Sequence, residues 1–401
     1  MSRRMSWLRT GVVFTLGAVA MAAVQAWWPT PQAEAGSRTL NRAGFDAALQ
    51  TVIDRYVDPV EASPVLAETL KRVVSGLDPY SHYLTADERQ TLRDRSKGGT
   101  SGMSVTLHRG EAGRRPAWLE VTAVLPTSPA EKAGLQPGDR ILAIRGQEVA
   151  FMLSQAEVEA LLAGADGDTL ELAVQRRQDP APIALQLGLT GHPKNLVEGK
   201  LVEQSGRKFA HMRVRAFRAG TGELFKKSLK ELRRAAGATP LAGVIVDVRG
   251  NPGGDVPEAV MIADMFVPSG VLVRTRGRGG QILREERAHP AATDIEVPLV
   301  VLQDRRSASA SELLAVALQD HGRARVIGER SFGKGTVQDV IGMTDGSLLT
   351  LTIARYFSPK DRLIDGNGVE PDVRVELPAM APGAADTGLQ AALGELTRAG
   401  G

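Results

Sequence analysis

Cysteine is absent from the chain. That excludes a thiol nucleophile, a thiolate metal site, any disulfide and a lipid-bearing N-terminal Cys, so chemistry must come from oxygen and nitrogen groups. Aromatic residues are scarce at 4%, while 43 Gly and 22 Pro point to many turns. A charge excess is missing too: 49 Lys plus Arg against 46 Asp plus Glu leaves +3, with the basic residues dispersed, so a nucleic-acid partner is not indicated. No HExxH and no clustered His/Asp/Glu ligand set occurs, so no metal site is expected. No GxSxG elbow exists either, and none of the six histidines lies in a Gly-flanked turn after a strand. What is there is 401 residues, 43% of them hydrophobic, enough for about two or three domains with real cores.

The first 35 residues read as an address. Arg3, Arg4 and Arg9 precede the apolar run Gly11 to Val24, then Trp27 and Trp28, and Ala33-Glu34-Ala35 supplies a small-x-small cleavage pattern. The reading is export to the periplasm or cell envelope. It leaves open whether the segment is a cleaved signal or a retained inner-membrane anchor, since Trp favours the membrane interface.

Residues 36–96 form a helical unit: Phe45, Leu49, Val52, Ile53 and Tyr56 recur at helical spacing, followed by Val65, Leu66, Leu70 and Val73. GLDPYSHYLT carries turn chemistry, and Thr85 with Glu88 predicts a capping box. Residues 97–189 change to short β runs around one helix, SQAEVEALLAG. The stretch SPAEKAGLQPGDRILAIRGQEV closely resembles a PDZ domain, a module that adds a peptide C-terminus as a strand and holds its carboxylate on backbone N–H groups. The matching loop contains Gly102, Met103 and Ser104, with Ser104 where relatives carry glycine, so weak carboxylate binding is expected. Residues 190–377 alternate strands and helices. LAGVIVDVR is a continuous apolar run, as suits a strand covered on both faces, and a largely parallel α/β core follows. The tail 378–401 is Ala/Gly/Pro-rich, with a short helix around Leu389 to Leu396 that docks on a partner or frays.

Lysine is used sparingly, 11 residues against 38 arginines, and after Lys230 only Lys334 and Lys360 occur. Arginine cannot lose its proton, whereas a buried lysine can become a neutral base, so Lys334 in FGKGT is a candidate amine. Ser309 opens the helix after the apolar strand VPLVVL; it reads as a cap with Glu312 at the box position, and also as a hydroxyl beside free helix N–H groups able to stabilise an oxyanion. His321 at the end of that helix is read as serving its dipole or the solvent.

VDVRGNPGGD, SASASELLAVALQDHGRARVIGERSFGKGTVQ, LTIARYFSP and DGNGVEPDV occur in the order found in the carboxyl-terminal processing proteases, which the chain resembles over roughly residues 45 to 376. The resemblance implies a crotonase/ClpP-like α/β (α+β) protease core with an inserted PDZ β-sandwich-like module and an N-terminal helical unit. It implies Ser309 as nucleophile, Lys334 as general base and Gln338 as the side chain that orients the lysine. The oxyanion hole would use the N–H of Ala310 with that of Gly253 or Gly254, and Glu312 and Asp320 match supporting positions. No cofactor is implied. Implied partners are protein or peptide C-terminal tails, an activating adaptor protein and a second copy of the chain in a dimer. The alternative reading is a catalytically silent PDZ scaffold for exported proteins.

Overall fold

The computed structural model describes residues 40–95, 98–108, 118–124, 128–152, 155–176, 179–191, 195–290, 296–377 and 385–399. The expected export segment 1–35, the start of the tail at 378–384 and the side chain of Ser104 lie outside what is described. The chain forms two compact units, Met1–Val65 and Leu66–Gly401. In the first, the helix Arg42–Arg55 is opened by Asn41, whose Oδ1 accepts the Gly44 N–H at 2.8 Å. Its apolar residues Phe45, Val52 and Tyr56 are exposed.

Within the second unit, Asp78 builds an Asx turn, accepting the N–H groups of Tyr80 and Ser81, each at 2.8 Å, and the Ser81 hydroxyl at 2.7 Å. The strand His82–Leu84 then pairs antiparallel with Leu348–Thr350, at the edge of a five-stranded sheet that also holds Val271–Gly277, Ile282–Arg287 and Thr336–Gly342. The predicted capping box is present, Glu88 accepting the Thr85 N–H at 2.9 Å and returning its own N–H to the Thr85 hydroxyl at 3.3 Å.

The β-rich middle of the chain is an antiparallel sheet ordered Met103–His108, Trp118–Val124, Arg140–Ile144, Thr169–Arg176, Asp179–Gly188. Alternation places Leu170, Leu172 and Val174 on one face, buried with Leu119, Val121, Ile141 and Ile144, and the helix Gln155–Leu162 adds Val158 and Leu161. At roughly 1.5–3 kcal/mol per fully buried aliphatic side chain, this cluster supplies the module with its own core.

The α/β core is a six-stranded sheet ordered Val197–Gln204, Arg207–Val214, Gly243–Asp247, Leu299–Gln303, Arg325–Gly328, Val373–Arg374. Only the first pair is antiparallel; the rest run parallel. All residues of Gly243–Asp247 and Leu299–Gln303 are buried, because both faces are covered. The helices Thr221–Ala236, Val256–Asp264 and Ala310–Asp320 cover one face. The other receives the C-terminal helix Thr387–Ala399, whose Ala392, Leu393 and Leu396 pack on Phe209, Ile245, Val300, Leu302 and Ile327. The short partner-docking or fraying helix expected near Leu389 to Leu396 is thus longer and docked on its own sheet, since its leucines at helical spacing find an apolar face there.

Candidate active site

Ser309 sits between the strand Leu299–Gln303 and the helix Ala310–Asp320 at φ 54, ψ −118, one of four positive-φ residues other than glycine among those described. A side chain at positive φ costs on the order of 1–3 kcal/mol, so surrounding contacts must hold it there. They do so from two sides. Glu312 accepts the Ser309 N–H at 2.7 Å, the bond of the expected capping box, and the Glu312 N–H bonds the Ser309 carbonyl at 2.8 Å. The turn Gly250–Gly254 is laced to the same segment: the Asn251 carbonyl accepts the Ala308 N–H and the Ser311 hydroxyl, both at 3.0 Å, and Ser307 donates to the Val248 carbonyl at 2.8 Å.

The closeness of this turn explains its glycines. At φ +100, a Cβ on Gly253 would lie 2.8 Å from the Ser309 Cβ and 3.0 Å from the Ala310 nitrogen; at φ +131, one on Gly254 would lie 1.9 Å from the Phe217 carbonyl oxygen. Gly253 thus lies against Ser309 and the first N–H of the helix, while Gly254 lies against Phe217. The Gly253 N–H donates to Asn251 Oδ1 at 2.9 Å.

Glu312 is fully buried and joins four donors. Besides the Ser309 N–H it accepts the Ser331 hydroxyl at 2.5 Å, the Gly333 N–H at 2.7 Å and the Lys334 N–H at 2.9 Å. Burial pushes its carboxyl above the usual value, against the pull of these donors. The same carboxylate thus ties the backbone of Ser309 to that of Lys334, residues 25 positions apart. The loop carrying Lys334 is braced from behind, as Val369 N–H donates to Ser331 Oγ at 2.7 Å and Gly366 N–H to the Gly333 carbonyl at 2.9 Å.

The half-buried Lys334 places its Nζ 4.8 Å from the centroid of the Tyr80 ring. Among the described residues no hydrogen bond joins it to Ser309. Gln338 is anchored on its own strand pair, its amide nitrogen donating to Thr336 Oγ1 at 2.8 Å and Thr352 Oγ1 at 3.2 Å. Asp320 stands at the opposite end of the helix that Ser309 opens, accepting the Lys360 N–H at 2.9 Å and Arg362 Nη2 at 2.5 Å. His321 Nε2 lies 2.8 Å from the Val271 carbonyl, tying the helix end to a neighbouring strand. In the β-rich module Gly102 has φ +71, with its N–H on Thr100 Oγ1 at 3.1 Å and the Met103 N–H on Ser101 Oγ at 3.5 Å. Sequence reasoning missed Tyr80, Asn251 and Ser331; their only signal was membership of turn-rich stretches.

A helix opened by Ser309, a glycine turn and a braced lysine loop lie on one α/β core, with a β-rich module ahead of them, and comparison with known proteins gives this arrangement its class, a serine-type peptidase. The model of peptidase family S41 matches residues 208–375, and that of the PDZ domain matches residues 120–176. A carboxy-terminal-processing protease of Bartonella bacilliformis is 31% identical over 84% of this chain and 75% of its own length. A carboxyl-terminal-processing protease of a Picosynechococcus species is 31% identical over 94% and 88%. The solved photosystem II D1 C-terminal processing protease superposes with a TM-score of 0.69 at 30% identity, covering 84% of this chain and 88% of its own. The chain belongs to the carboxyl-terminal processing proteases of peptidase family S41.

Proposed function

We propose that this chain cleaves exported proteins near their C-terminal tails with Ser309 as nucleophile and Lys334 as general base. The observation that carries the reading is the Glu312 hub, which holds the backbones of Ser309 and Lys334 on one carboxylate. In the proposed cycle the neutral Lys334 amine takes the Ser309 proton and Oγ attacks the scissile carbonyl carbon. The oxyanion is met by the N–H groups of Ala310 and Gly254. As the C–N bond breaks, the lysine ammonium protonates the leaving amine. A water then gives its proton to Lys334, its oxygen attacks the ester, and the acid product leaves as the proton returns to Ser309 Oγ. Gln338 orients the lysine, and Asp320 supports the site from the far end of its helix.

The domain limits 1–35, 36–96, 97–189, 190–377 and 378–401 belong to the same proposal, as do export by residues 1–35 to the periplasm or cell envelope, dimer formation and an activating adaptor. Among the described residues no helix is long and apolar enough to cross a membrane, so retention as an anchor rests on the N-terminal segment alone. A bound tail in the PDZ groove shifts the enzyme toward its aligned state. The N–H groups of Gly102 and Met103 already have hydroxyl acceptors in their own loop, which supports weak carboxylate binding there.

Digestion of an unfolded test protein tests the chemistry. Ser309→Ala and Lys334→Arg should both fold and both lose turnover. Undiminished cleavage by Ser309→Ala removes the serine from its role, and substantial turnover by Lys334→Arg shows that the site uses charge rather than basicity. Inactivity of the unaltered enzyme on every tail supplied would favour the silent scaffold.

A further inference from the structure

Tyr80 lies 254 positions before Lys334 in the chain, yet its ring is the surface on which that lysine's Nζ rests, 4.8 Å from the centroid. The turn that carries it is rigidly placed. Asp78 fixes the Tyr80 and Ser81 N–H groups, and Ser81 Oγ accepts the Thr352 N–H at 3.0 Å, beside the Thr352 hydroxyl that Gln338 bonds. The adjoining strand His82–Leu84 is zipped to Leu348–Thr350. The backbone that carries the ring is therefore tied to the sheet edge.

A cation over an aromatic face is held by the ring quadrupole, and an uncharged amine is not held in that way. Three carboxylates act on the ring electrostatically: Asp365, beyond the strand Leu348–Phe357, Glu312, on the helix Ala310–Asp320, and Asp78, in the ring's own turn, while Arg355 pairs with Asp365 at 3.1 Å. Burial first, then these three carboxylates, pushes the Tyr80 phenol up to about 12, so the ring stays neutral through any ordinary assay pH.

We propose that Tyr80 is a positioning residue that holds the Lys334 ammonium on its ring in the resting enzyme, so that the lysine must leave the ring to act on Ser309. The proposal rests on Lys334 being the base. It makes Tyr80 a restraint on activity that acts on the charged lysine only.

The test compares Tyr80→Phe and Tyr80→Leu in the full-length enzyme, by turnover of a peptide across a range of pH. Phe keeps the aromatic face and should follow the unaltered enzyme. Leu removes it and should raise turnover about two- to fivefold on the acidic side, where the lysine is charged, with the gain vanishing on the alkaline plateau. A Leu profile that superposes on the original, or a loss at every pH that Phe rescues, overturns the proposal. Lys334→Ala is the accompanying control: if it stays active the base assignment fails, whereas an inactive Lys334→Ala beside an unshifted Leu profile defeats Tyr80 alone. Should the Leu variant not fold, NMR of the enzyme labelled with carbon-13 lysine still decides, with Lys334→Arg to assign the signal. The ε-methylene of Lys334 should be shifted upfield by the ring current, and a position like that of the exposed lysines refutes the resting contact.

Discussion

Replacing Glu312 by Gln isolates what its charge does, because the side chain keeps its shape. The carboxylate serves four donors, Ser309 N–H, Lys334 N–H, Gly333 N–H and Ser331 O–H, two on each oxygen. Gln offers one oxygen, so in either orientation its NH2 group faces two donors. Two buried donors lose their acceptor, at about 1–3 kcal/mol each, which gives a loss of about 2–6 kcal/mol. Glu312→Ala strands all four, yet it opens space that water can enter and re-pair, so its loss should stay in the same range. Against a domain stability of roughly 5–15 kcal/mol, both variants should fold at low temperature. Turnover should fall further than stability, because Glu312 holds Ser309 at φ 54 and a displacement of about 1 Å in a reacting group can cost about a hundredfold. Urea denaturation with peptide turnover on the same preparations measures both. The pH response has a sign of its own. With its carboxyl held above the usual value by burial, Glu312 takes a proton earlier on acidification than an ordinary carboxyl and must then release a donor, so activity falls. The raised value means that the folded state binds this proton more tightly than the unfolded one. Its stability contribution is thus present at low pH and lost as pH rises through the folded value. A Glu312→Gln enzyme with unaltered melting and turnover would refute the hub.

Two further outcomes are expected. Gly254→Ala would drive a Cβ to 1.9 Å from the Phe217 carbonyl and should reduce turnover by at least about a hundredfold, whereas Gly250→Ala meets open space and should cost only about 1–2 kcal/mol for its positive φ; equal behaviour of the two in a turnover assay would remove the Gly254 N–H from the oxyanion site. Asp386, just before the helix Thr387–Ala399, accepts a two-pronged grip from Arg249, at 2.7 and 2.8 Å, and Arg249 in turn grips the buried Asp247. Asp386→Ala should lower stability by about 2 kcal/mol, because Arg249 retains Asp247 as partner. Burial opposes its ionisation but Arg249 holds its carboxyl below the usual value, so this contribution is present above the ordinary carboxylate range and is lost as pH falls through the depressed value. Thermal melts of both proteins from neutral pH downward should therefore converge, and a constant gap would disprove the linkage.

What was legible in the chain, and what was not, follows from how far apart the cooperating residues lie. The strand Gly243–Asp247, the helix after Ser309 and the Thr85–Glu88 box are local patterns, each readable within one or two turns of sequence. Ser309 and Lys334 stood out for the same reason: a hydroxyl at a helix start and a rare lysine between glycines are local oddities. Glu312 was read as the box partner of Ser309 because three-residue spacing is what a window reveals; that bond to the Ser309 amide is one of its four, and the other three go to the segment Ser331–Lys334. Asn251 and Tyr80 escaped for a stronger version of that reason. The partners of Asn251 are Val214 and Ala308, and that of Tyr80 is Lys334, contacts made only after a parallel sheet and a distant hairpin have closed. The C-terminal helix makes the same point in reverse: its leucine spacing was visible, but the face awaiting it is assembled from four strands drawn from Phe209 to Ile327. Local pattern thus locates the candidate chemical groups, while the groups that restrain them are contributed by whatever the topology brings alongside, as Asn251 does for the segment of Ser309 and Tyr80 for Lys334.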